Sequence, residues 1–354
     1  MTLTPNLADV GQATEGATPG LAAVGGAARR GPAGVRRAIG YITTLAFLIV
    51  INFFLPRAMP GNPLVGLVAN PHSPAFVNDP ATRSALAHYY GLDRPLWSQF
   101  SHYLSGLAHG DLGVSITTNT PVTKLVLEHL PWTALLVVSG MALAGVASVI
   151  GGVTSGWRGG TAVDRRLMGI FYTLGYGPVL FLVTPALFFL AVKLPIVPLS
   201  GGSTPFATHG FLGQVGDVAH HLVLPALVLT LVVVGYQYLL MRGAVVSELG
   251  ADYLKLGRAK GLGDRRLKYR YAARNALLPW VSATGVQLGR SVGIVLIVER
   301  LFAWPGLGNL MSTSVGTRDY PTMQGCFLLV AVLVLTMNLL TDLVYARLDP
   351  RTTA

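Results

Sequence analysis

The amino-acid sequence predicts an all-α, polytopic membrane protein with six transmembrane helices and both ends on the cytoplasmic side. Three observations carry that prediction. Of 354 residues, 52% are hydrophobic and only 12% charged, with a mean hydropathy of +0.55. A soluble domain carries about a quarter charged residues, so this chain cannot cover a water-exposed surface. Six apolar stretches are long enough to cross a bilayer, and Lys and Arg alternate sharply between the connections that join them. The same composition excludes disorder over most of the chain. The single cysteine, Cys326, excludes an intrachain disulfide and any zinc-type cysteine spacing.

Residues 1–37 are rich in Gly, Ala and Thr and carry the basic pairs Arg29-Arg30 and Arg36-Arg37, which predicts a flexible cytoplasmic tail. The first span, within 38–56, is the uncharged run Ile39 to Leu55; its basic flank and the lack of an A-x-A pattern predict a retained anchor. Residues 57–132 form an outer region too long for a turn, and Pro80 to Leu107 has helix-compatible spacing. The core, 133–346, holds the other five stretches: Thr133–Thr154, Leu167–Val192, Leu222–Met241, Ala276–Val298 and Gln324–Ala346. Prolines 178, 185 and 225 fall inside two of them, as membrane helices tolerate. Residues 347–354 are a short cytoplasmic tail.

The net charge of +11 is a question of distribution. With the N-terminus inside, 18 Lys and Arg lie on the cytoplasmic side, seven lie outside, and Arg290 stands within a span. The positive-inside rule selects that orientation. The densest block is the connection 242–275, which reads as two short helices broken at Gly261-Leu262-Gly263.

Enzyme chemistry finds no footing. None of the five lysines follows a glycine, so there is no G-x-x-x-x-G-K-[ST] phosphate loop, and neither H-E-x-x-H nor G-x-S-x-G occurs. Acids near the bilayer midplane, which a proton- or sodium-driven carrier uses, are scarce: Glu299 and Asp342 sit at span ends. Energy for any transport therefore comes from another chain. A secondary carrier or channel and a membrane scaffold are the competing classes.

The order Asp252-Tyr253 … Arg258-Ala259-Lys260-Gly261-Leu262 … Arg274-Asn275-Ala276-Leu277-Leu278-Pro279 resembles the cytoplasmic coupling loop of binding-protein-dependent, type I ABC importer permeases. The resemblance is to the permease B line of their dipeptide/oligopeptide branch. It extends to Met59-Pro60-Gly61-Asn62-Pro63 (with Asn62 where the branch has Asp), Gly110-Asp111-Leu112-Gly113-Val114-Ser115, Glu299–Gly308 and Arg318-Asp319-Tyr320-Pro321. The literal Glu-Ala-Ala of the wider superfamily is absent. The resemblance implies the type I permease fold in a bacterial cytoplasmic (inner) membrane. It implies a homologous second permease, two ABC ATPase subunits that hold ATP and Mg, an extracytoplasmic solute-binding protein, no cofactor on this chain and no nucleic acid. It also implies that Asp252, Tyr253, Ala259, Lys260, Gly261, Leu262, Asp264, Arg265 and Arg266 form the ATPase-coupling loop. Gly261 permits a sharp turn there because glycine accepts positive φ. The bland alternative is a basic loop that sets topology and touches anionic lipid.

The implied cargo is dipeptides or oligopeptides; nickel chelate, haem, glutathione and sugar are cargoes of the same transporter class. Eight histidines fall outside or at the outer boundary, and only His220 and His221 are adjacent, so no metal site is assigned. Gln287, Arg290, Ser291 and Glu299 are the candidates for the translocation path. Arg290 is read two ways: facing a wet path, where it offers a bidentate partner to a solute carboxylate, or snorkelling to the outer surface.

Overall fold

The computed structural model describes residues 33–59, 80–178, 181, 184–185, 187–194, 196–205 and 210–348. The tail up to residue 32, Pro60-Gly61-Asn62-Pro63, His72, His209, residues 349–354 and the side chain of Arg290 lie outside the described residues. The chain divides into two compact units, Met1–Gly40 and Tyr41–Ala354. Of the first, the described residues are the opening turns of α1.

Among the described residues the chain is helical, with one isolated β-bridge between Val114 and Pro121. The order is α1 (Ala33–Ala58), α2 (Pro80–Tyr89), α3 (Leu96–Ala108), α4 (Val122–Trp157), α5 (Ala162–Tyr176), α6 (Phe211–Glu248), α7 (Asp252–Ala259), α8 (Ala273–Leu301), α9 (Leu307–Thr317) and α10 (Tyr320–Leu348). Among the described residues, four stretches are helical, long and apolar enough to cross a membrane: Ile39–Ala58, Val122–Trp157, Phe211–Glu248 and Tyr320–Leu340. The fifth predicted stretch is one continuous helix, α8.

The third stretch differs from expectation. α5 stops at Tyr176, Gly177 is extended (φ −69°, ψ 145°), and a wider π-type turn follows at Leu187–Lys193. Proline disfavours helical backbone in the residue before it and lacks an N–H to donate, so Gly177-Pro178 ends the helix. α4 and α6 run beyond their apolar centres, to 36 and 38 residues. Hydropathy marks what lies in lipid; it does not mark where a helix ends.

α4 packs chiefly on α6 through a stripe with four-residue spacing: Gly140, Ala144, Ser148, Gly152 and Gly156. Residues four apart share a helix face. The approach is close enough that a Cβ on Gly140 would stand 2.7 Å from Leu229 Cδ2, and one on Gly152 2.7 Å from Met241 Cβ. On the other side of α6, a Cβ at Gly235 would stand 2.6 Å from Gly175 Cα of α5. Lipid supplies no hydrophobic drive between helices, so contact of this kind, made possible by small residues, holds the bundle. Val295 and Val298 of α8 and Trp304 close the core over Leu136, Leu224 and Leu229.

Residues 80–108 form the two short helices α2 and α3. Phe53 of α1 is fully buried against the rings of Phe100 and Tyr103, at 5.0 and 5.6 Å. Asn52 Nδ2 donates to Tyr103 Oη at 3.1 Å and to the Gln324 carbonyl at 2.8 Å, tying α1, α3 and α10 together. Tyr89 and Trp97 remain exposed.

Candidate coupling and translocation site

The basic connection after α6 forms a hydrogen-bonded, packed element. α7 ends by a left-handed turn: Gly261 has φ +75°, its N–H donates to the Arg258 carbonyl at 2.9 Å, and the Leu262 N–H donates to the Gly257 carbonyl at 3.1 Å. This pair of bonds is a Schellman motif, with glycine at the position where a side chain would strain the backbone. Its apolar contact is present too. Leu262 and Tyr253 pack with Trp157 and Tyr271 around the buried Leu254, Leu267 and Ala272. A Cβ on Gly257 would stand 2.6 Å from Leu267 Cδ2, so α7 lies flush on the helical turn that leads into α8.

Tyr253 is further fixed by donating its hydroxyl to the Glu248 carboxylate. Burial first, and then that carboxylate, push its phenol up from the ordinary value. Asp252, Lys255, Leu256, Ala259, Lys260, Gly261, Asp264, Arg265 and Arg266 are exposed. The element is thus an apolar underside clamped to the bundle and a polar face, with Leu256 56% exposed within it, turned outward.

A buried ion pair that sequence reasoning missed stands beside this element. Asp164, at the start of α5, accepts from Arg242 Nε and Nη2 of α6, both at 2.8 Å. It also accepts from the Gly160 N–H at 2.9 Å and from the Ser155 hydroxyl of α4, whose oxygen lies 2.6 Å from Tyr238 Oη. Its side chain is 3% exposed and that of Arg242 23%. The Arg242 guanidinium holds the carboxyl well below the usual carboxylate range despite its burial. Three helices meet on one carboxylate. The legible signal was Thr161-x-x-Asp164, a capping pattern in which the Asp164 N–H donates to Thr161 Oγ1.

Within α8, Ser291 is buried and donates to the Gln287 carbonyl one turn back at 2.8 Å, while Gln287 is half-buried. A Cβ on neighbouring Gly289 would stand 2.8 Å from Asn338 Oδ1, so α10 passes close at this level. Glu299 stands two turns further on and is engaged elsewhere. α9 has Gly306 as its N-cap and no side-chain cap of its own. Instead the Gly308 N–H donates to Glu299 Oε2 at 2.5 Å and the Leu307 N–H to Thr133 Oγ1 at 2.8 Å. Two orphan donors are satisfied from other helices, and the carboxylate complements the positive end of the helix dipole. A Cβ at Gly306 would collide with the Glu299 carboxylate, which explains the glycine in Trp304-Pro305-Gly306. Trp304 is fully buried, and its Nε1 donates to the Trp132 carbonyl at 2.9 Å.

Two motifs that carry the family resemblance separately meet in space. Asp319, 1% exposed, accepts from Ser115 Oγ at 2.5 Å, Thr117 Oγ1 at 2.8 Å and the Ile116 N–H at 3.1 Å. It thereby fastens the segment after Gly110–Gly113 to the start of α10. Hydrogen bonds to a buried charge are worth about 1.5–3 kcal/mol. Asp319→Ala is therefore expected to lower stability by about 2–3 kcal/mol and to speed limited proteolysis between α3 and α4, read by peptide mapping against the native digestion pattern.

The long apolar helices and their close packing define a polytopic helical membrane protein. The family model for a binding-protein-dependent transport system inner membrane component matches residues 147–354, and the chain belongs to that family. It is similar to the dipeptide transport system permease protein DppB of Escherichia coli (strain K12), 31% identical over 328 residues, covering 88% of this chain and 95% of the relative. It is likewise similar to the di/tripeptide transport system permease protein DppB of Pseudomonas aeruginosa (strain UCBPP-PA14), 31% identical with 90% and 97% covered. The oligopeptide transport system permease protein AppB of Bacillus subtilis (strain 168) is 32% identical, with 90% and 98% covered.

Proposed function

We propose that the chain is half of the transmembrane pathway of an ATP-driven importer of dipeptides or oligopeptides, paired with a homologous permease. Two ATPases bind at its basic end, which faces the cytoplasm, and a solute-binding protein delivers cargo on the other side. The observation that carries this reading is the α7 element: a short helix locked by the Gly261 turn and clamped to the bundle, with a polar face free for a partner. Such a body transmits a push from an ATPase to α6 and α8 without bending. Asp252, Tyr253, Ala259, Lys260, Gly261, Leu262, Asp264, Arg265 and Arg266 are its proposed coupling residues. The peptide relatives support the cargo.

The purified chain alone is expected to hydrolyse no ATP, with turnover appearing when the ATPases are added and rising with the loaded binding protein. Turnover by the rigorously purified subunit sinks this reading. Mass spectrometry of ligand trapped in the assembled complex decides the cargo: peptides support the assignment, and a nickel chelate, haem, glutathione or a sugar replaces it.

Gln287, Arg290 and Ser291 are the proposed lining of the path, and Glu299 is assigned to its outer end as the anchor of α9. Arg290→Gln is expected to preserve assembly and to reduce uptake of carboxylate-bearing cargo more than ATP turnover. Unchanged uptake across such cargoes would assign Arg290 to packing or lipid.

A further inference from the structure

A cavity of about 730 Å³ opens between the turn after α4 and the helical segment that leads into α8. Its charged lining is Arg158, Arg265 and Lys268 against one carboxylate, Asp264, and its aromatic walls are Trp157 and Tyr269. Arg158, Asp264, Arg265 and Tyr269 are exposed. Among the described residues no ion pair involves Arg158, Arg265 or Lys268. Lys268 Nζ donates to Thr154 Oγ1 at 3.2 Å and lies 4.7 Å from the centre of the Tyr269 ring, which holds the ammonium at the cavity wall. The apolar stretch of α4 ends at Thr154 and the helix at Trp157. The cavity therefore lies beside the end of an apolar, span-length segment, where a bilayer gives way to headgroups if this segment crosses it. A tyrosine half exposed at that level is a membrane-interface residue.

We infer that this cavity binds the phosphate headgroup of an anionic phospholipid, lodged between the first inner turn and the coupling element. Basic pockets between membrane helices on the cytoplasmic side take such headgroups. Three cations around one acid leave an excess of two positive charges, more than enough to hold the single negative charge of a phosphodiester. The two aromatic walls suit the glycerol and upper acyl carbons, whereas a free phosphate makes no use of them. Because Trp157 also belongs to the cluster that clamps α7, the bound lipid braces the coupling element from below. The inference rests on the proposed orientation, with this end of the bundle in the cytoplasm.

The test titrates phosphatidylglycerol into phosphatidylcholine nanodiscs that hold the full-length chain, and counts retained lipids by native mass spectrometry. Phosphatidylglycerol is expected to be retained in preference to phosphatidylcholine. Arg158→Gln, Arg265→Gln and Lys268→Gln are each expected to weaken retention about fivefold, while Arg158→Lys and Lys268→Arg keep it. Equal retention by the triple glutamine variant overturns the site. Displacement by inorganic phosphate makes it a free-anion site and overturns the lipid assignment. Loss of the lipid when the ATPase subunits are added makes the cavity a protein interface, with the same consequence. Failure of the functional reading is seen separately. Retention needs neither ATP nor cargo, so lipid binding without import removes the importer alone. A thiol at Arg158→Cys that reacts with an impermeant reagent only from the outside removes the orientation.

Discussion

Gly261→Val is expected to abolish import while leaving membrane insertion intact. Nothing lies within 4 Å of a Cβ built at this position, so crowding is not the cause. The cost is in the backbone: φ is +75°, and a β-branched residue held there is strained by about 1–3 kcal/mol. The turn escapes by unwinding the last bonds of α7, and the polar face then no longer moves with the bundle. A series separates this account from simple loss of stability. Gly261→Asn, which tolerates the left-handed region, is expected to keep most of the uptake, Gly261→Ala to lose part of it, and Gly261→Val to lose nearly all, with all three reaching the membrane at similar levels. Equal uptake by the valine and asparagine variants contradicts a coupling role for the turn.

Asp164→Ala is the substitution with the largest expected effect on stability. It leaves the Arg242 guanidinium facing a partly buried site without its partner, and breaking a buried pair in this way costs about 3–5 kcal/mol. Arg242 keeps some exposure, which places the value near the lower end of that range. The double variant Asp164→Ala with Arg242→Met removes the orphaned charge and is expected to recover much of the loss, read as the thermal midpoint of the detergent-solubilised protein. A double variant no better than Asp164→Ala points to the Ser155 and Gly160 bonds as the larger contribution. The sign of the pH dependence follows from the lowered folded-state value. The pair's contribution is complete above the unfolded carboxyl's value of about 4 and is lost as pH falls from there through the lowered folded value. Between pH 5 and 8 this site is therefore expected to leave the midpoint flat.

What was legible in the sequence was what is local. Gly261 follows a short amphipathic run, and a glycine just past a helix announces a left-handed cap, so the turn and its conformation were readable. Helices α2 and α3 were readable from the spacing between Pro80 and Leu107. Pairings across the chain were not. Asp164 carries a local capping signal, but its partner Arg242 lies 78 positions away, and hydropathy places that arginine only as one of many inner cations. Glu299 reads as an acid at a span end. Its work at the N-terminus of α9 depends on the chain folding back through Trp304-Pro305-Gly306, which no periodicity reports. Asp319 and Ser115, 204 positions apart, were each visible as motif residues, and only the fold brings them together. The interruption after Tyr176 was the opposite case: Gly177-Pro178 stood in the sequence as a local break, but the apolar run across it outweighed the break.

On the proposed function, this chain carries cargo only when an ATPase drives it through α7. The most direct test is uptake of a labelled dipeptide into proteoliposomes holding both permeases and the ATPases, with the binding protein on the outside and ATP sealed inside. Uptake is expected to require ATP and the binding protein and to disappear with Gly261→Val but not with Gly261→Asn. Uptake driven by a proton or sodium gradient in the absence of ATP contradicts the proposed function.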